Sequence, residues 1–196
     1  MNCFYWIAVK IFRLYANLFF DIDVRGINYI PVHRGCVLSS NHLSYFDPLL
    51  IASFVVVPVH FFAKDELFAS PIKNFFMNKF NAIPVKRGSA DRTAVNRALD
   101  LLASGEIVGV FPEGGISIGD DSKDYQTGVA MLAIHSGKPI LSVKLTGSRD
   151  LYRPSLFRRK RVIIEYKRPL LVSGISDGAE DKKQLRKKIM DLIENQ

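Results

Sequence analysis

Cysteine is almost absent from this chain, and what there is cannot organise it. Cys3 and Cys36 are the only two among 196 residues, too few for a disulfide framework and without metal-ligand spacing. They fit a reducing, cytoplasm-facing setting. Histidine is nearly as sparse: His33, His42, His60 and His135 are scattered, which gives a zinc site little support, and no metal is expected. No repeat, linker or low-complexity segment divides the chain. Acidic residues are the scarcer charge, 19 against 27 basic, for a formal net charge of +8. That balance points to an anionic partner: a phospholipid surface, nucleic acid or an acidic carrier. What the chain does have is apolar residues, 48 % of the total, which with ordinary charge content indicate a globular fold with an apolar surface region. Its length suits one well-buried domain and is short for two.

Residues 1–20 form the first candidate element. From Phe4 to Phe20 the chain reads FYWIAVKIFRLYANLFF, apolar except for Lys10, Arg13 and Asn17. Those three recur at helical spacing and make one narrow polar stripe. A spanning helix needs about 20 apolar residues, and two central cations are costly there. A signal peptide fits poorly, because the charges lie inside the apolar run and no small-residue cleavage site follows. The expectation is an amphipathic helix lying in a membrane interface, with Tyr5, Trp6 and several phenylalanines on its apolar side. A helix packed on the rest of the protein is the alternative.

Residues 21–196 are expected to form one α/β domain. Strand-like apolar runs recur at 36–40, 59–63, 81–85, 107–111, 140–145 and 162–166. Between them lie helical patterns: from Leu49 onward, over 68–80 with Ile72, Phe75, Phe76 and Phe80 on a broad apolar face, from a Ser89 cap to Gly105, and over 128–136 up to Gly137. The third of these buries Val95, Ala98, Leu99 and Leu102. Alternating strands and helices predict a central, largely parallel or mixed sheet flanked by helices. Residues 181–194 read as a final helix, and the basic stretch 149–168 as solvated surface or a contact for an anionic membrane or acidic carrier.

Three strand ends carry chemically useful groups: His42 with Asp47, Lys86 with Arg87, and Glu113 with Gly114. Histidine titrates near neutrality and suits a general base. A carboxylate on its other ring nitrogen would fix the tautomer and stabilise the imidazolium. Five positions apart, the pair can meet only if the chain turns between them before the helix begins. Asp47 before Pro48 also reads as a helix N-cap, and His42 alone could be an ordinary loop histidine. Arginine offers a fork that matches phosphate oxygens, and glycines after Glu113 let backbone approach a ligand. Read separately, Arg87 could equally be a surface arginine and Glu113 a turn residue.

Together, NHLSYFD (41–47), IPVKRG (83–88) and FPEG (111–114) resemble, in order and spacing, three blocks of the glycerolipid acyltransferases, the 1-acylglycerol-3-phosphate (lysophosphatidate) acyltransferase family. The resemblance covers roughly residues 20–170. It implies that His42 is the base and Asp47 its orienting partner, with Lys86, Arg87, Glu113 and Gly114 at the acceptor's phosphate. It implies transfer of a fatty acyl group from acyl-CoA or acyl carrier protein, a thioester co-substrate rather than a cofactor, to the sn-2 hydroxyl of lysophosphatidate. A membrane-associated protein on the cytoplasmic face would follow. The family commonly reads FPEGTRS where this chain has FPEGGIS, and Ser142 stands where its fourth block usually has proline, so another lysolipid acceptor, or a non-catalytic lipid- or carrier-binding role, is the alternative. A nucleic-acid partner is not expected: no recognition element is present, and aromatics are not interleaved with the basic run.

Overall fold

The computed structural model describes residues 3–86, 91–113 and 126–172. Its elements, in chain order, are α1 (Cys3–Phe19), β1 (Phe20–Arg25), β2 (Cys36–Ser40), α2 (Asp47–Ser53), β3 (Val59–Lys64), α3 (Pro71–Lys79), β4 (Ile83–Val85), α4 (Arg92–Ala103), β5 (Ile107–Val110), α5 (Gln126–Ser136), β6 (Ile140–Thr146) and β7 (Lys160–Tyr166), with short 3-10 turns including Ser148–Tyr152. The strands form one mixed sheet in the order β1-β7-β6-β2-β5-β3-β4. β2 pairs in parallel with both β5 and β6, and β3 continues in parallel to β5 and β4. Among the described strands only β6 and β7 pair antiparallel, and β1 joins β7 in parallel at the edge. The expected α/β sheet flanked by helices is therefore what the chain forms.

Alternation along β2 divides the core in two. Cys36 and Leu38 meet Leu50, Ile51, Leu141 and Val143 on the α1/α2 side. Val37 meets Ala98, Leu102, Val129, Ala133 and Ile140 beneath α4 and α5 on the other. All five residues of β2 are buried. Because β2, β5, β3 and β4 share one direction, their C-terminal ends line one edge of the sheet, and α2 begins there.

Helix α1 is apolar on two opposite faces. Tyr5, Val9, Phe12 and Ala16 are buried, spaced four, three and four along the helix. Ile7, Ile11, Leu14 and Leu18 repeat that spacing two residues later and are exposed, about 160° round the axis at ~100° per residue. Lys10, Arg13 and Asn17 fall between the two faces. The inner face packs on α2, where the Ser53 hydroxyl donates to Val9 O at 3.2 Å, and reaches the start of β3, where Tyr5 Oη accepts from Val59 N at 3.0 Å. Tyr15 Oη donates to Leu151 O at 2.8 Å. Among the described residues no helix is long and apolar enough to cross a membrane.

Three local expectations change, and the apolar face expected on α3 is exposed. Residues 20–25, outside the expected strand runs, form the edge strand β1. Helix α2 starts at Asp47 rather than Leu49, with Phe46 in the N-cap position. Helix α3 buries nothing: Ile72, Phe75 and Phe76 face outward, and Phe4 packs on the rings of Phe75, Phe76 and Phe80. The cap of α4 is Asp91, whose carboxylate accepts from Ala94 N at 3.0 Å, whereas Ser89 lies outside the described residues, as does 181–194. Gly105 and Gly137 close α4 and α5 with positive φ, 88° and 64°, where a side chain is strained.

Candidate active site

Strand β2 ends at Ser40, and Asn41 extends its pairing by one rung through its side chain. Asn41 Nδ2 donates to Leu145 O at 3.0 Å, and Leu145 N donates to Asn41 Oδ1 at 2.8 Å. The chain then turns. Asp47 N donates to Ser44 O at 3.0 Å, and the Ser44 hydroxyl accepts from Phe46 N at 3.2 Å. This turn folds His42 back onto the start of α2, so that His42 Nδ1 lies 3.0 Å from Asp47 Oδ2. The same oxygen accepts from Leu43 N at 2.6 Å and Ser44 N at 2.7 Å. Asp47 occupies the first helical position, but its carboxylate reaches back to the turn instead of capping α2.

The electrostatics follow from that placement. The Asp47 side chain is 0 % exposed and that of His42 14 %; Asp47 Oδ1 is buried without a partner. A carboxylate oxygen accepts, so the ring nitrogen facing it carries the hydrogen, and in the neutral form of the ring the lone pair is on Nε2. From below, the imidazole stacks on Phe111 at 4.1 Å between centroids, and Phe111 on Phe61 at 5.1 Å. Gly109 makes room for this column: a Cβ there would stand 2.3 Å from Phe61. His42 N donates to Glu113 Oε2 at 3.3 Å, tying the turn after β2 to the turn after β5.

The other expected site residues are less concentrated. Lys86 is exposed at the end of β4, and its N–H donates to Asp91 Oδ2 at 3.0 Å. Bonds from Ala94 N and then Lys86 N hold the Asp91 carboxyl below its usual range. Three strand spacings, about 14 Å, separate β4 from β2. Arg87 and Gly114 lie outside the described residues. Asn41, Phe111, Phe61 and Gly109 were not singled out from sequence. A glycine within a buried strand signals close approach, but nothing in the sequence says which ring approaches. Among the described residues, no three His, Cys, Asp or Glu side chains gather to hold a metal.

The family model described as Acyltransferase matches residues 21–146. The chain belongs to the acyltransferase family. Among curated members it is 28 % identical over 133 residues to the 1-acyl-sn-glycerol-3-phosphate acyltransferase of Borreliella burgdorferi, covering 67 % of this chain and 53 % of that one. The Bacillus subtilis protein of the same name is 27 % identical over 56 % of each chain. The lyso-ornithine lipid O-acyltransferase of Pseudomonas aeruginosa is 28 % identical over 74 % of this chain and 54 % of its own. The chain thus spans about half the length of the curated relatives it matches. The crystal structure of the 1-acyl-sn-glycerophosphate (LPA) acyltransferase PlsC from Thermotoga maritima superposes with a TM-score of 0.70 at 28 % identity, covering 98 % of this chain and 78 % of that one. Within this acyltransferase family domain, the matched segment runs from β1 through β6 and contains the whole His42–Asp47 turn.

Proposed function

We propose that this chain transfers a fatty acyl group from a thioester, on coenzyme A or acyl carrier protein, to the sn-2 hydroxyl of lysophosphatidate, giving phosphatidate. The observation that carries the reading is the 3.0 Å contact between His42 Nδ1 and a fully buried Asp47. His42 Nε2 takes the proton of the acceptor hydroxyl as its oxygen attacks the thioester carbonyl. The new C–O bond forms, negative charge moves to the carbonyl oxygen, and the imidazolium rests against Asp47. As the tetrahedral species collapses, the C–S bond breaks and the thiolate recovers the proton from His42, leaving an ester and a free thiol. No protein nucleophile is needed, because the substrate's own hydroxyl attacks. Lys86, Arg87, Glu113 and Gly114 are the residues proposed for the acceptor's phosphate end.

The reading includes a protein seated peripherally on the cytoplasm-facing membrane surface; the outward stripe Ile7, Ile11, Leu14 and Leu18 on α1 supports the membrane seat. A different lysolipid acceptor is the second reading, favoured by the lyso-ornithine lipid relative and by the missing arginine after FPEG. Thiol release by purified protein, measured against lysophosphatidate, lyso-ornithine lipid and other lysolipids, separates them. His42→Ala should lower turnover by ~10²–10⁴-fold. A folded His42→Ala protein that keeps normal turnover removes the mechanism.

A further inference from the structure

The loop that joins the Ser148–Tyr152 turn to β7 carries two large apolar residues at its tip. Phe157 is 101 % exposed and Leu156 is 56 % exposed. A lone exposed leucine is ordinary, but this pair is set between the exposed Arg153 and Arg158. Neither arginine has an ion pair among the described residues. From 149 to 168 the chain carries eight basic residues and two acidic ones.

Both ends of the loop are tied down, and to different parts of the molecule. At its start, Tyr152 Oη accepts from Tyr45 N at 3.0 Å, inside the His42–Asp47 turn, and the Tyr152 ring lies 4.9 Å from that of Phe46. At its end, Arg159 donates to Asn17 O at 2.6 Å and through Nε to Phe20 O at 3.1 Å, satisfying carbonyls at the C-terminus of α1. The outward Leu14 and Leu18 belong to those last turns of α1. The loop that bears this apolar tip with its cationic collar is therefore anchored to the turn that holds His42 at its start and to the end of α1 at its close.

We propose that loop 153–158 is a bilayer anchor: Leu156 and Phe157 enter the acyl region of an anionic leaflet while Arg153 and Arg158 pair with its phosphates. The proposal rests on the reading that the acceptor is a lipid, and it names the face on which that lipid arrives. An acidic protein partner would use the arginines but not a fully exposed phenylalanine. A bilayer uses both, burying apolar side chains below a plane of negative charge.

The test measures partition of the full chain into phosphatidylcholine vesicles with and without phosphatidylglycerol. The variants are Leu156→Ser with Phe157→Ser, and Arg153→Gln with Arg158→Gln, each checked for folding by circular dichroism. The apolar pair should lose about tenfold or more of its partitioning into both vesicle types, given the transfer free energy of two such side chains. The arginine pair should lose binding, and its salt dependence, only on the anionic vesicles. Turnover of the apolar variant should fall on vesicle-borne acceptor and hold on a short-chain acceptor dissolved as monomers. Unchanged vesicle partitioning in the apolar variant overturns the anchor, as does a loss seen only against acyl carrier protein. The vesicle arm needs no activity, so a wild-type protein without turnover would count against acyl transfer while the partition data still decide the anchor.

Discussion

Replacing Asp47 by asparagine separates what its charge does from what its shape does. Asp47 Oδ2 accepts from His42 Nδ1, Leu43 N and Ser44 N, while Oδ1 is buried with no donor. An asparagine can keep its oxygen at the Oδ2 position and hold all three donors. Its amide nitrogen then sits where Oδ1 was, a buried donor with nothing to accept it, at a cost of ~1–3 kcal/mol. The flipped amide would face three donors with its own and is worse. Folding should therefore survive, since small domains hold ~5–15 kcal/mol in reserve. The chemistry should not. For an imidazolium 3.0 Å from a carboxylate, Coulomb's law at an effective dielectric of about 20 gives ~5.5 kcal/mol as a ceiling, a factor of ~10⁴ in rate. With the acyl-transfer reading in place, Asp47→Asn should lower turnover by ~10²–10⁴-fold at saturating acceptor. Urea unfolding gives the stability change and thiol release the rate. Asp47→Ala, which strands the Leu43 and Ser44 amides, should unfold more easily than Asp47→Asn. A folded Asp47→Asn protein within about fivefold of wild-type turnover would refute a catalytic role for the charge.

Gly109→Ala should press on Phe61, which a Cβ would meet at 2.3 Å, and through Phe111 disturb the ring under His42; a loss of ~1–3 kcal/mol in urea unfolding, with reduced turnover, is expected. Burial holds the His60 imidazole below its ordinary range, against the opposing charge of Glu106. As pH falls below about 6.5 the unfolded chain binds a proton that the folded one resists, so stability should decline in that window, and His60→Gln should flatten the decline. Cys36 is buried, which pushes its thiol up to about 12. Alkylation at pH 8 should therefore label exposed Cys3 alone in the folded protein, and both cysteines in urea, as read by mass spectrometry.

The central strands were legible because parallel strands buried on both faces read as continuous apolar runs, as CVL in β2 and IVGV in β5 do. β1 was not: FDIDVR carries two aspartates and an arginine, as an edge strand with only Phe20 buried allows. Periodicity reports that a helix has an apolar face, not what covers it, so the broad apolar face of α3 was legible and its exposure was not. Asp47 before Pro48 looked like an N-cap because the local pattern cannot show a carboxylate turning back to the preceding residues. The encounter of His42 with Asp47 was readable, since it depends on five neighbouring positions. Asn41 was not, because its partner Leu145 is 104 residues away and only the β2–β6 pairing brings it near.

The same distinction bears on how the departures from the family pattern are to be weighed. His42 is held by four restraints from three directions. Asn41 fixes the end of β2 to β6, Glu113 accepts from the His42 amide on the β5 side, Asp47 holds Nδ1, and Phe111 supports the ring. Such restraint is what a positioned base requires, because small errors in placement cost large factors in rate. Every one of these residues lies in the NHLSYFD or FPEG block, before the chain departs from the family pattern at Gly115-Ile116. The departure therefore leaves the machinery around His42 intact. What it removes is a threonine and an arginine, so under the proposed reading the acceptor's headgroup is where this chain should differ from its relatives, and the lysolipid panel is the measurement on which that difference will appear.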